Sequence, residues 1–156
     1  MKRLGIYVDS SVFGGCEDIE FSRDSLLLEK HFIDGLYVCM ISELTLRELS
    51  KAPEAVREHL DSIPLSNQVM IEETEEAFDL ANSYLKRGIV GPGSHADALH
   101  VALAAIGKAD VMVSWNFKHI VNLGKIRLFN AVNMEQGYGL LEIRTPREVL
   151  QNGKII

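Results

Sequence analysis

Polar side chains follow two apolar runs that have the length of buried strands. The first run, Leu4 to Asp9, leads into Ser10 and Ser11, and a later run over 110–114 leads into Trp115 and Asn116. In open parallel sheets, sites form beyond the carboxyl ends of strands, where loops and helix N-termini converge. Carboxylates gathered there from separate segments would offer hard oxygen ligands to Mg²⁺ or Mn²⁺. The spacing of these residues in the sequence does not by itself show that the carboxylates meet at one place in the fold.

Two further acids occur in segments with helical spacing and are candidates for the same place. Glu48 belongs to the helix after the second predicted strand, and Asp97 to the first turn of a later helix. Glu43 competes with Glu48, but five residues at about 100° each put the two roughly 140° apart on a helix. The two therefore cannot both point into one site.

These residues depend on strands that alternate with helices. We predict strands over residues 4–9, 36–41, 69–71, 110–114 and 140–143. Helices are predicted over residues 22–34 (capped by Ser22), from Ser42 onward, and over 53–63, 74–88 and 94–106 (capped by Ser94). Residues 115–123 suggest a loop and a short helix, and 145–148 a capping box. The alternation predicts one three-layer α/β domain over residues 1–156, with a mostly parallel sheet covered on both faces.

Composition narrows the class of protein. The chain has 156 residues, of which 47% are hydrophobic and 24% charged, which fits a folded globular domain and excludes disorder or collagen-like repeats. No apolar run approaches a membrane span, and the N-terminus meets an acidic residue too early for a signal peptide. The two cysteines, Cys16 and Cys39, form no disulfide framework and predict reduced thiols in a cytoplasmic protein.

The net charge of −6 argues against a domain that holds long nucleic acid by phosphate neutralisation alone. It does not exclude an enzyme that reaches phosphate through a bound cation, because an acidic cluster must exist before it can hold one.

Four segments, taken in their order along the chain, resemble the PIN domain family and within it the VapC-type toxin ribonucleases. These segments are YVDSSV, ISELTLREL, DALHVALA and ADVMVSWNFKHI. The resemblance extends from Leu4 to about Leu150 and implies a PIN-like α/β/α fold. It also implies hydrolysis of RNA phosphodiester bonds that leaves a 5′-phosphate and a 3′-hydroxyl. A homodimer and a cognate antitoxin are the partners that it implies.

By this resemblance Asp9, Glu48 and Asp97 match three acids of the family's Mg²⁺ or Mn²⁺ site, with Ser10 and Ser114 at supporting polar positions. The match departs at the fourth acid, where Asn116 stands. An amide oxygen can coordinate a metal but adds no charge, so we expect a weaker site.

The roles that we assign there are direct or water-mediated metal binding by the three acids and orientation of water or substrate by Asn116 and Ser114. His119, one turn further on, is a candidate for binding metal or phosphate.

Each candidate also has a purely structural alternative. Asp9 could only end a strand and accept a turn hydrogen bond, and Asn116 could only form a turn. Glu48 could be a solvated surface acid. Ser94 and Asp97 have the spacing of a capping box, although a helix N-terminus also stabilises a metal-binding carboxylate.

The histidines and cysteines lack the spacing of common zinc sites. His95 and His100 flank Asp97 without an HExxH pattern, and there is no CxxC, so we expect no zinc site and a half-buried His100. Trp115 is a candidate for base stacking or for packing. Five basic residues are candidates for steering RNA or are ordinary surface residues: Lys118, Lys125, Arg127, Arg144 and Arg147.

The favoured hypothesis is that the protein is a metal-dependent endoribonuclease. One form of this hypothesis makes it the toxin of a type II toxin–antitoxin pair. The alternative is a catalytically weak PIN-like module that binds RNA or protein, because Asn116 replaces the fourth acid. An aspartyl-nucleophile phosphatase would need a second Asp two residues after Asp9, where Ser11 stands.

Overall fold

The protein is described by a computed structural model that covers residues 2–151, so the parts of the domain prediction that fall on residues 1 and 152–156 lie outside the described residues. The strands are β1 (Gly5–Val8), β2 (Val38–Ser42), β3 (Gln68–Ile71), β4 (Val111–Val113) and β5 (Glu142–Arg144). The helices are α1 (Ser10–Gly15), α2 (Ser22–Ile33), α3 (Glu43–Ser50), α4 (Glu54–Asp61), α5 (Glu75–Lys86), α6 (His95–Ile106), α7 (Leu123–Glu135) and α8 (Pro146–Gln151).

The five strands form one sheet in the order β3-β2-β1-β4-β5, and every pairing is parallel. The chain leaves β1 for β2 and β3 on one side and later returns to β4 and β5 on the other. The carboxyl ends of β1 and β4 therefore lie at the point where the strand order reverses, the usual place for a site in such sheets. The predicted parallel α/β sheet is confirmed.

Alternating strand residues bury two separate cores. Ile6 and Val8 pack with α1, α2, α4 and α8, whereas Tyr7 packs with α5, α6 and α7 on the other face. This period of two is what a strand covered on both faces requires. The three-layer arrangement is confirmed.

Several predicted helix starts are confirmed by their caps. Ser42 Oγ accepts from the Thr45 amide at 3.3 Å, and Thr74 Oγ1 accepts from the Ala77 amide at 3.1 Å. Thr145 and Glu148 form the predicted capping box through bonds of 3.0 and 3.2 Å. These caps set the entry of α3, α5 and α8.

Other local predictions are wrong. Helices α1 and α7 were not predicted, and residues 115–122 form turns and bends without a helix. Ser22 is already inside α2, whose N-cap is Phe21. Ser94 occupies the N-cap of α6, but its side chain makes no capping hydrogen bond. No helix within residues 2–151 is long and apolar enough to cross a membrane.

Candidate active site

Asp9 directly follows β1 and is the N-cap of α1, with 4% of its surface exposed. The amide and the hydroxyl of Ser11 donate to Asp9 Oδ1 at 3.2 and 2.6 Å, and the Ser114 hydroxyl donates to Oδ2 at 2.8 Å. Burial raises the pKa of the Asp9 carboxyl, whereas His100 and these hydrogen bonds favour its charged form. A bound cation would stabilise a carboxylate buried in this way.

Ser114 and Ser11 join the ends of β1 and β4. Ser114 bonds Asp9, and Ser11 Oγ accepts from the Trp115 amide at 2.9 Å. Ser114 therefore contacts Asp9, one of the three predicted metal-binding acids. Ser11, which was not among the predicted site residues, fixes the orientation of Asp9 as much as Ser114 does.

Glu48 extends from α3 to residues of two other helices. Its Oε1 accepts from the Ser10 hydroxyl at 2.9 Å and lies 2.6 Å from His100 Nε2. Burial tends to raise the pKa of Glu48, but the hydrogen bond and charge of His100 outweigh it and lower that pKa. Glu43, the competing acid, is exposed in the first turn of α3. Of these two acids, Glu48 is the one placed beside the end of β1.

Two buried hydroxyl groups form a hydrogen-bonded chain with His100, at the ring nitrogen that does not face Glu48. His100 Nδ1 lies 2.7 Å from the Tyr7 hydroxyl, which lies 2.8 Å from Ser42 Oγ. With Glu48 ionised, His100 Nε2–H donates to Glu48, and Nδ1 is paired with the Tyr7 hydroxyl. The expected half-burial of His100 is wrong, because only 2% of it is exposed.

Asp97 and Asn116 contact one another across α6 and the end of β4. Asn116 Nδ2 donates to Asp97 Oδ1 at 3.2 Å, and the Asn116 amide N–H donates to Ser114 Oγ at 2.9 Å. Burial raises the pKa of Asp97, while His119 and His100 oppose the increase. Because the Ser94 side chain makes no cap bond and its amide bonds Gly91, the capping-box alternative is not formed.

Asn116 and His119 have both structural and site contacts. Asn116 Oδ1 accepts from the His119 amide at 3.0 Å, so the side chain also forms the turn that we weighed as its alternative. The imidazole of His119 acts electrostatically on Asp97, and its buried Nδ1 has no hydrogen-bond partner within the described chain. A buried nitrogen without a hydrogen-bond partner is unusual.

The three acids are close enough to affect one another's charge. Glu48 raises the pKa of both Asp9 and Asp97. Over residues 2–151, however, the only three side chains with ligand atoms all within 4.8 Å of one another are Cys16, Glu29 and His59. Oxygens bound directly to one Mg²⁺ at about 2.1 Å are at most about 4.2 Å apart. As placed, the three acids are therefore too far apart for all of them to bind one such ion directly.

Trp115 is a packing residue in this fold. It is 8% exposed, stacks on Phe21 with ring centroids 4.4 Å apart, and donates from Nε1 to Ser25 Oγ at 2.8 Å. Its ring face and its N–H are both engaged, which favours the packing alternative over base stacking.

Most of the basic candidates are also engaged. Arg144 pairs with Glu142 at 2.6 Å, Arg147 pairs with Asp24 at 2.8 Å, and the Lys125 ammonium donates to the Ile89 carbonyl. Lys118 and Arg127 are exposed and have no ion pair among the described residues.

His100 is the site residue that sequence reasoning judged wrongly. Its signal was present: it lies three residues after Asp97 on α6, and residues three apart share a helix face. Its pairing with Glu48 depended on how α3 packs on α6, which the spacing does not encode.

The fold is shared with solved structures of VapC toxins. VapC20 of Mycobacterium tuberculosis, a toxin that cleaves the sarcin–ricin loop, matches with a TM-score of 0.56 over 73% of this chain and 92% of its own, at 16% identity. VapBC2 of Rickettsia felis, bound to a DNA fragment from its promoter, matches with a TM-score of 0.51 over 91% of this chain and 98% of the matched chain, at 17% identity.

These structures confirm the PIN-like fold that the four segments predicted. No protein-family model and no curated protein matches the sequence.

Proposed function

We propose that the protein is a metal-dependent endoribonuclease of the VapC type. The observation that carries the proposal is the grouping of Asp9, Glu48 and Asp97 at the switch point of the sheet, each held by a hydrogen-bond donor. The fold neighbour that cleaves the sarcin–ricin loop supports structured RNA as the substrate class.

Asp9, Glu48 and Asp97 would hold a divalent ion, Mg²⁺ or Mn²⁺, directly or through water. When bound, the ion supplies Lewis acidity and an activated water for in-line attack on phosphorus. Hydrolysis that adds the water oxygen to phosphorus, breaks the bond to the 3′ oxygen and leaves a proton on that oxygen would give the 5′-phosphate and 3′-hydroxyl that the resemblance implies.

The other polar residues orient these groups. Ser11 and Ser114 fix the Asp9 carboxylate, while Ser10 and His100 fix Glu48. We assign His119 to a phosphate contact, which requires its buried and unpartnered Nδ1 to become exposed. Preorganised groups of this kind stabilise developing charge without reorganisation.

A second candidate function is a module that binds RNA or protein without cutting. Its support is Asn116, whose amide donates to Asp97 in the place where the family carries a fourth acid. An Asp at this position would instead repel Asp97 until a cation was bound. Asn116→Asp should therefore destabilise the metal-free protein and tighten metal binding.

The test is cleavage of a sarcin–ricin hairpin and of a mixed RNA pool with Mn²⁺, Mg²⁺ or a chelator. Glu48→Gln should abolish cleavage, whereas Glu43→Gln, an exposed acid of the same helix, should leave it unchanged. Asp97→Asn should also abolish cleavage. Equal activity in wild type and Glu48→Gln would contradict the assignment. An inert wild type with an active Asn116→Asp variant would favour the binding module.

The partners proposed are a cognate antitoxin and a second copy of this chain, in the cytoplasm. The neighbouring VapBC2 assembly supports the antitoxin. A small DNA-binding protein encoded beside this gene would agree with it, and light scattering of the purified protein would test the homodimer.

A further inference from the structure

Three side chains from three helical segments converge on the face of the sheet that α1, α2 and α4 cover. Cys16 caps the end of α1, Glu29 lies in α2 and His59 lies in α4. Glu29 Oε2 lies 2.8 Å from His59 Nδ1 and 3.7 Å from Cys16 Sγ, and each of the three residues offers one ligand atom within 4.8 Å of those of the other two. We propose that Cys16, Glu29 and His59 form a transition-metal site that takes Zn²⁺.

The surrounding contacts orient these side chains as ligands. His59 Nε2 lies 2.6 Å from Glu17 Oε2, so the proton on that nitrogen is directed to a carboxylate and Nδ1 faces the cluster. The Ser62 hydroxyl donates to Glu29 Oε1 at 2.6 Å and leaves Oε2 facing Cys16 and His59. Metal-binding histidines commonly carry such a carboxylate on the second ring nitrogen, and metal-binding carboxylates are commonly held in the same way.

The donor types select the class of metal. A thiolate and an imidazole prefer borderline or soft ions, whereas Mg²⁺ and Mn²⁺ prefer oxygen. Zn²⁺ accepts sulfur, nitrogen and oxygen in a tetrahedron, and three protein ligands leave the fourth position for water. A thiolate and a carboxylate would balance the two positive charges of the ion.

Access is limited but open, because the side chains of Glu29 and His59 are 11% and 16% exposed. Cys16 is buried beside them.

The proposed zinc site is distinct from the acid site. Asp9 precedes α1 and Cys16 follows it, so the two are about 10 Å apart at the helical rise of about 1.5 Å per residue. The two sites thus occupy opposite ends of one short helix. The zinc proposal does not depend on the proposed ribonuclease activity.

The test uses Co²⁺ as a spectroscopic stand-in for Zn²⁺, followed by competition for Zn²⁺ against a chromophoric chelator. We expect one equivalent of Co²⁺ to give a near-ultraviolet thiolate charge-transfer band. Cys16→Ser should abolish the band and His59→Gln should weaken Zn²⁺ binding at least tenfold. Cys39→Ala, at the buried cysteine outside the cluster, should retain both.

Circular dichroism of each metal-free variant separates loss of the site from loss of the fold. Folded wild type that shows no band and takes up no Zn²⁺ would overturn the proposal and leave His59 as an ion-pair partner of Glu17 and Glu29. Binding that survives Cys16→Ser but is lost in Asp97→Asn would also overturn it, because the ion would then occupy the acid site. Neither outcome depends on RNA cleavage.

Discussion

Burying the charged carboxyl groups of Asp9 and Asp97 at the end of the sheet costs electrostatic free energy. A bound cation would offset that cost. Burial raises the pKa of Asp9 and of Asp97, and the charge on Glu48 adds to both effects. Glu48 behaves in the opposite way because His100 lowers its pKa. The acids are thus unequal, with Asp9 and Asp97 gaining most from a nearby positive charge.

The pH dependence of stability follows from these directions. A carboxyl group whose pKa is higher in the folded state binds its proton more tightly when folded, so folding stability rises as pH falls toward that pKa. In chelator, Asp97→Asn should therefore be at least as stable as wild type at pH 7. When the pH is lowered from about 7 to about 5, the melting temperature of Asp97→Asn should also rise less than that of the wild type.

Metal should reverse the order of the two proteins. At ten times its dissociation constant, Mg²⁺ or Mn²⁺ should stabilise the wild type by about 1.4 kcal/mol, a few degrees in melting temperature. Asp97→Asn should lose this gain. An equal metal-induced shift in both proteins, measured by differential scanning fluorimetry, would remove Asp97 from the ligand set.

The buried hydroxyl chain behind His100 makes a second prediction for single residues. Tyr7→Phe leaves His100 Nδ1 without a partner and removes one bond from Ser42 in a buried environment. An unsatisfied buried polar group costs about 1–3 kcal/mol, which urea denaturation would measure. Tyr37→Phe, at a half-buried tyrosine whose ring packs against His31, should cost little. Similar small effects of both variants would contradict this account of the chain.

Among the elements, helix α1 packs closely against its neighbours at Gly15. A Cβ on Gly15 would lie 2.7 Å from Ser25 Oγ and 2.8 Å from Trp115 Nε1, the two atoms that share a hydrogen bond. The glycine thus lets α1 approach α2 and the end of β4 closely. This approach positions Asp9 at one end of α1 and Cys16 at the other.

Gly15→Ala should therefore destabilise the protein by about 1–3 kcal/mol through overpacking. Gly14→Ala is the matched control, because a Cβ there meets nothing within 4 Å and alanine favours a helix. In chemical denaturation, the two substitutions should change the free energy of unfolding in opposite directions or by clearly different amounts. Equal stability would show that Trp115 and Ser25 shift without cost.

The elements also show what can be predicted from sequence and why. Strands β1, β2 and β4 are continuous apolar runs, and the start of α3 carries a cap at Ser42, so local pattern was sufficient. Helix α7 was missed because Leu123, Leu128 and Met134 are exposed and blur the buried stripe, although the Asn122 cap marked its start. Helix α1 is six residues long with two glycines, and its cap is Asp9 itself.

The candidate site divides in the same way. The acids could be predicted from the sequence, because they follow a strand end or lie in segments whose order resembles that of the PIN domain family. The pairing of Glu48 with His100 joins residues 52 apart, and the contact of His59 with Glu29 joins residues 30 apart. Such contacts depend on how helices pack on the sheet, and no local spacing encodes them.

Across the whole molecule, charge is distributed so that cations are scarce beside the site. The net charge is −6, and two of the basic candidates, Arg144 and Arg147, are paired with Glu142 and Asp24. Lys118 and Arg127 are the exposed basic candidates without an ion pair in the described part of the chain. For the proposed RNA-binding function we therefore expect little affinity from monovalent counterion release and most of the phosphate contact through a divalent ion.

RNA binding should therefore depend weakly on monovalent salt and strongly on divalent metal. With about two phosphates neutralised by Lys118 and Arg127, the slope of log K against log salt should be about −1.4 for single-stranded RNA. Fluorescence anisotropy with Ca²⁺, under conditions in which gels show intact RNA, would measure it. Replacing Lys118 and Arg127 together by Ala should flatten the slope, whereas Arg144→Ala should change it little because Glu142 already pairs with that residue. A slope steeper than about −4 would mean that an extended basic surface binds the RNA, and chelation of the divalent ion would then leave affinity nearly unchanged.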